Sequence, residues 1–211
     1  MTEAESVTTF VMENRLPWPE RSDAAALNGP FDVGLLYDDA QPRQCGIRNI
    51  SPLGATLCGQ MKRAAGEEIA LELATGQRPA ATIEWVRGGE AGIRFKQPID
   101  MLALINRKLI SQPAERRSMP RVEIRCSVYL KWGVSLEPAT LRNISARGLQ
   151  LEGDSLPPRG TFVGLFVDGL NVPPGEVVWS KDKLAGVELF EELSWSSIIP
   201  WIRELGRKDL P

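Results

Sequence analysis

The chain has 211 residues, of which 43% are hydrophobic, 25% charged and 7% aromatic, enough for one large globular domain or two small ones. Lys plus Arg number 25 against 27 Asp plus Glu, and the resulting net charge of -2 argues against coating of nucleic acid by bulk charge, while local basic clusters stay open. Histidine is absent, which removes Ser-His-Asp and Cys-His nucleophile systems, His-rich metal sites and the usual neutral-pH general base.

The three cysteines (Cys45, Cys58 and Cys126) form no CxxC, so neither a disulfide framework nor a structural zinc is expected. The first twenty residues carry early acids and no apolar run long enough for a signal peptide. No stretch approaches the ~18 apolar residues of a membrane span. The composition predicts a cytosolic, non-enzymatic protein without membrane insertion.

Residues 1–26 show no clear pattern and are expected to form a partly disordered N-terminal extension. Short β-rich runs bounded by turn residues come next: Phe31 to Tyr37, Gln44 to Ile50, Ala55 to Cys58, Ile69 to Leu73, Ala80 to Val86 and Ala91 to Phe95. Met101, Leu102, Leu104, Ile105 and Leu109 then place an apolar stripe at helical spacing, with Pro98 and Asp100 marking its start. After the polar stretch 111–115 the same order returns. Strands are expected over Ile124 to Trp132, Ala139 to Ile144, Leu149 to Glu152, Phe162 to Val167, Gly175 to Trp179 and Ala185 to Phe190. A helix carries Ile198, Ile199, Trp201, Ile202 and Leu205, with Ser194 as its N-cap.

The recurrence is also literal. Arg48-Asn49-Ile50-Ser51-Pro52-Leu53-Gly54 returns as Arg142-Asn143-Ile144-Ser145-Ala146-Arg147-Gly148, an offset of 94 positions. At that same offset Gly66 matches Gly160, Trp85 matches Trp179, and Ala91-Gly92-Ile93 matches Ala185-Gly186-Val187. Separated blocks in one register mark a tandem duplication. The expected fold is mainly β: two tandem six-stranded antiparallel barrels, each followed by a C-terminal α-helix, over residues 27–111 and 112–211.

Two segments stand out chemically. Arg116, Arg117, Arg121 and Arg125 fall within ten residues just ahead of the second half. The flat guanidinium fork suits bidentate contact with phosphate or the O6/N7 edge of guanine. Pro120 favours an extended arm there. Taken alone, the run reads first as an ordinary solvated charge cluster at a domain boundary. The second segment is Asn143-x-Ser145-x-x-Gly148, whose amide, hydroxyl and bare backbone suit a base edge and a phosphate. Its plainer reading is an Asx turn closed by glycine, which is the reading given to the Asn49 copy. Trp85 and Trp179 read as barrel core or rim rather than ligand platforms. The cysteines read as small buried apolar residues.

In combination, Arg117-x-x-x-Arg121 followed by Asn143-x-Ser145-x-x-Gly148 resembles the two-part signature of the PilZ family, and the resemblance spans the whole second half. It implies a six-stranded barrel with a C-terminal helix, no cofactor, and cyclic di-GMP as ligand. Arg117 and Arg121 would grip guanine edges and phosphates, while Asn143, Ser145 and Gly148 meet the other guanine. Arg116, directly before the first motif arginine, resembles the family variant that stacks on guanine and favours an intercalated ligand dimer. The first half resembles the same barrel but is degenerate, because Asp23 and Leu27 hold the places of Arg117 and Arg121. The resemblance implies an effector that relays the messenger to an unidentified protein partner, with no nucleic acid involved. The competing expectation is a ligand-independent PilZ-like interaction scaffold.

Overall fold

A computed structural model describes residues 8–18, 31–37, 41–111 and 120–208, the last residues of each helix by their backbone alone. The chain divides into two compact units, Met1–Arg121 and Val122–Pro211. Each is described by itself.

The first unit holds β1 (Thr9–Val11), β2 (Asp32–Tyr37), β3 (Arg43–Ser51), β4 (Gly54–Cys58), β5 (Glu68–Glu72), β6 (Ala80–Arg87), β7 (Glu90–Phe95) and α1 (Met101–Ser111). Alternation of apolar and polar residues puts Leu36, Ile50, Leu57, Leu71, Ile83 and Ile93 on one face, and all six are fully buried. Antiparallel pairings run β2–β3–β4–β7–β6–β5 and return from β5 to β2, which closes the ring and pairs its edges. α1 buries Met101, Leu104 and Ile105, and Asp100 caps it by accepting from the Ala103 amide at 3.0 Å. Lys108 on α1 is buried against the Asp32 carboxylate.

The second unit begins in β8 (Arg121–Trp132) and continues through β9 (Ser135–Ile144), β10 (Gly148–Glu152), β11 (Phe162–Val167), β12 (Gly175–Lys181), β13 (Leu184–Leu189) and α2 (Trp195–Lys208). Its pairings close the same circuit, β8–β9–β10–β13–β12–β11 and back to β8, making a six-stranded antiparallel barrel with a C-terminal helix. Leu130, Leu141, Ile144 and Leu151 fill it. Ile198, Trp201 and Ile202 bury the inner stripe of α2, and the Trp201 indole donates to the Asp168 carbonyl at 2.8 Å.

The likeness of the two units extends to irregular features. Two β-bulges fall at matching places in both units: the register skips Arg48 and Arg142 opposite β4 and β10, and it skips Glu84 and Val178 just before the two tryptophans, while the shift between Glu123 and Cys126 on β8 has no counterpart on β2. Gly66 and Gly160 both take the left-handed backbone, at φ 90° and 87°, which explains why glycine stands at both. Residues 8–18, which carry no sequence pattern, form β1, parallel to β3, and a run that lies on the first barrel; Phe10 and Val11 are buried.

Candidate functional site

The turn after β9 is built from Ser145 and Gly148. The Ser145 amide donates to the Gly148 carbonyl at 2.9 Å, and the Ser145 hydroxyl donates to that carbonyl at 3.1 Å. The Gly148 amide in turn donates to the hydroxyl oxygen at 3.2 Å. Ser145 is therefore the clamp of the turn, with one lone pair left for a ligand. Gly148 is required by close approach: a β-carbon there would sit 2.9 Å from the Val187 carbonyl oxygen on β13. The turn is also held from outside, since Leu189 and Leu193 donate their amides to the carbonyls of Arg147 and Ala146 at 2.9 and 2.7 Å.

Asn143 stands two residues before this clamp, opposite Gln150 on β10, and donates its amide N–H to the Gln150 Oε1 at 2.5 Å. This cross-strand pair fixes the side-chain plane, so the amide is oriented before any ligand arrives. Gln150 belongs to no motif, and only the strand register reveals it. Neighbouring β8 brings Val122 opposite Ile144 and Glu123 opposite Asn143, and Arg121 is exposed at the start of that strand, one residue before Val122. Arg116 and Arg117 lie outside the described residues. Arg147, in the turn, is exposed and approaches Glu192 at 3.6 Å.

Trp179 and Gly186 complete this face. A β-carbon on Gly186 would overlap the Trp179 indole nitrogen, so the glycine is the bed on which the indole rests. Two concave surfaces lie apart from these residues: one of about 680 Å³ from Gln77 to Asp100, and one of about 480 Å³ along β11 beside Tyr129 and Pro174.

No family profile matches the sequence, and comparison with curated proteins finds no relative. Among solved structures, the chain is similar to the Borreliella burgdorferi PlzA protein in complex with c-di-GMP at 9% identity, covering 82% of this chain and 86% of that one, with a TM-score of 0.33. The Bacillus subtilis inhibitor of motility MotI/DgrA shares 13% identity over 85% of this chain and 97% of its own, with a TM-score of 0.32. YcgR of Escherichia coli, in complex with c-di-GMP, shares 11% identity over 84% and 83%, with a TM-score of 0.28. Similarity at that level assigns neither fold nor ligand.

The first unit repeats the clamp but covers it. Ser51 donates to the Gly54 carbonyl at 3.4 Å and accepts from the Leu53 amide at 3.2 Å, and both Ser51 and Gly54 are buried. β4 is buried on both faces along Gly54-Ala55-Thr56-Leu57, whereas β10 alternates between buried and half-buried. One other feature is shared with a twist. Arg48 reaches Glu90 on β7 at 2.5 Å, while its counterpart Arg142 reaches Glu152 on β10 at 2.5 Å. The acid has moved to the cross-strand neighbour, since Cys58 pairs with Glu90 and Glu152 with Leu184. Burial first, and then the Glu90 carboxylate, push the Cys58 thiol up to about 11, so it is no nucleophile at neutral pH. Burial alone does the same to Cys126. Among the described residues, no group of three or more acids or cysteines is placed to hold a metal, and no helix is long and apolar enough to cross a membrane.

Proposed function

We propose that the protein is a tandem PilZ-type effector that binds cyclic di-GMP through its second half and passes the signal to a partner protein. The observation that supports this reading is the pre-oriented Asn143 amide beside the Ser145–Gly148 clamp, on the strand next to the one that Arg121 opens. A cyclic dinucleotide presents two guanine edges and two phosphates. Arg117 and Arg121 supply forks for phosphate and O6/N7, Asn143 supplies a donor–acceptor pair for the second guanine, and Gly148 lets the backbone approach. Arg116 adds a stacking cation, so two intercalated ligands bind per chain. The first half lacks the arginines and has its clamp buried, which leaves it a structural role.

A different reading, a ligand-independent scaffold, is favoured by one observation. Phe162 and Phe190 pack edge to face at 5.5 Å on the surface, and Tyr129 and Phe166 are exposed opposite each other on β8 and β11. Calorimetric titration with cyclic di-GMP separates the two readings. Saturation at two ligands per chain, weakened by salt, is expected. Arg121→Ala should lose charge-assisted hydrogen bonds worth about 1.5–3 kcal/mol, or roughly 10- to 150-fold in affinity. Asn143→Ala should weaken binding and Asn49→Ala should leave it unchanged. Arg116→Leu should move the count towards one. No heat of binding for the wild-type chain would leave the scaffold reading in place.

A further inference from the structure

On the outside of the second barrel, Phe162, Phe166, Phe190 and Tyr129 are between 54% and 67% exposed. The fold does not demand them. At the offset of 94 their places in the first unit are held by Glu68, Glu72, Lys96 and Leu35. Lys96 pairs there with Glu68 at 2.5 Å, in the places where Phe162 and Phe190 pack edge to face in the second unit. Glu72, in the place of Phe166, is held by Arg78 at 2.7 Å. The first barrel thus closes with ion pairs on this face, and the aromatic version in the second has another use.

The face is complementary to itself. Phe162 and Gly164 are successive outward residues of β11, about 7 Å apart along the strand. Among the described residues nothing lies within 4 Å of a β-carbon position at Gly164, and its backbone is not left-handed. Neither crowding nor conformation requires glycine there. What it contributes is depth, in the concave surface of about 480 Å³ that Tyr129 and Phe166 also line. Phe162 is therefore a knob and Gly164 a hole. Charge follows the same arrangement. Glu176 stands opposite Phe162 on β12, and Lys131 stands opposite Gly164 on β8. Glu176 in turn faces Glu188 on β13, a repulsive cross-strand pair. None of these three charges forms an ion pair with a described residue.

We propose that this face binds a second copy of the chain, about a two-fold axis that passes through β11 at Val163. Such an axis exchanges Phe162 with Gly164 and, in the same rotation, Glu176 with Lys131. Each Phe162 ring enters the open place at Gly164 of the other copy. Each Lys131 meets the Glu176–Glu188 pair across the interface and relieves the repulsion between the two acids. Two convex barrels touch only near the strand on the axis and its neighbours, and those neighbours are β8 and β12, which carry Lys131 and Glu176. The four aromatic side chains, each showing about half of the 150–250 Å² of a ring residue, present on the order of 400 Å² per copy. That is close to half of the ~800 Å² per partner of a standard interface, as suits an apolar core inside a polar rim. The complement of each feature lies on the face itself, which singles out a second copy over a different protein. None of these residues belongs to the arginine or turn motifs, so the dimer forms without cyclic di-GMP.

The test is sedimentation equilibrium of the full chain without ligand. Wild type should be a dimer with a micromolar dissociation constant. Phe162→Glu with Phe190→Lys transplants the Glu68–Lys96 pair of the first unit, and Gly164→Val fills the hole. Each should raise the dissociation constant about ten-fold or more. Lys131→Glu should do the same by setting like charges against each other. Adding Glu176→Lys to Lys131→Glu rebuilds the contact with its signs exchanged and should restore most of the lost affinity. If Gly164→Val fails to fold, the charge exchange decides. A wild-type chain that is monomeric at about 100 μM would overturn the proposal. So would a dimer indifferent to Gly164→Val and to the charge changes. A dimer that Lys131→Glu weakens and the double variant does not recover would overturn the two-fold axis at Val163. Each of these results is read without cyclic di-GMP and leaves that reading untouched.

Discussion

The Arg48–Glu90 pair offers a test of how the barrel tolerates charge. Glu90→Leu copies the residue found at the matching place in the second unit. It removes a carboxylate whose side chain is 4% exposed and leaves an Arg48 side chain that is only 18% exposed without its 2.5 Å partner. Removing one member of a buried pair costs about 3–5 kcal/mol. Arg48 keeps some water contact, which favours the low end, about 3 kcal/mol. With about 4–8 °C per kcal/mol for a domain of 60–100 residues, the first unit's midpoint should fall by roughly 12 °C or more. Adding Cys58→Glu returns an acid from the neighbouring strand, as Glu152 does for Arg142. The double variant should recover to within about 1 kcal/mol of wild type, that is, about 2 kcal/mol more stable than Glu90→Leu. Scanning calorimetry reads both shifts. A Glu90→Leu midpoint equal to wild type, or a double variant no more stable than Glu90→Leu, would refute the idea that the guanidinium needs an acid in either of two places.

The same geometry gives two more expected outcomes. Gly54→Ala should destabilise the chain far more than Gly148→Ala, because the new methyl would overlap the Ile93 carbonyl in the first unit but meets the Val187 carbonyl at 2.9 Å in the second; urea unfolding of the two variants compares them directly. Cys58 should resist alkylation until the pH nears 11; because its folded-state value lies above the ordinary 9.0, the folded state holds its proton longer, and that contribution to stability is complete below pH 9 and lost as the pH rises through 11. Fast modification of Cys58 at pH 8 in the folded chain, located by peptide mapping, would contradict that ordering.

Sequence alone determined much of this protein. Twelve strand segments and two helices are legible because period-2 and helical apolar spacing, broken by Gly, Pro, Asp and Asn, are local signals. Gly66, Gly160, Gly148 and Gly186 repeat in one register, and the structure supplies their reasons: left-handed backbone at the first pair, close approach of a carbonyl and an indole at the second. β1 is hidden in the sequence, since three residues without periodicity are recognisable only against β3. So is the partner of Asn143. Gln150 lies seven residues along the chain, and the tight Ser145–Gly148 turn between β9 and β10 brings the two opposite each other. The exchange of Glu90 for Glu152 is invisible at the aligned positions because the compensation crosses between strands. The largest difference between the halves is equally hidden. Leu16, Pro17 and Trp18 show no pattern of their own, yet in the first unit they cover a face for which the described residues of the second supply no equivalent cover. Such contacts depend on which surfaces meet after closure of the barrel, and pairing of residues distant in sequence is a property of the tertiary fold alone.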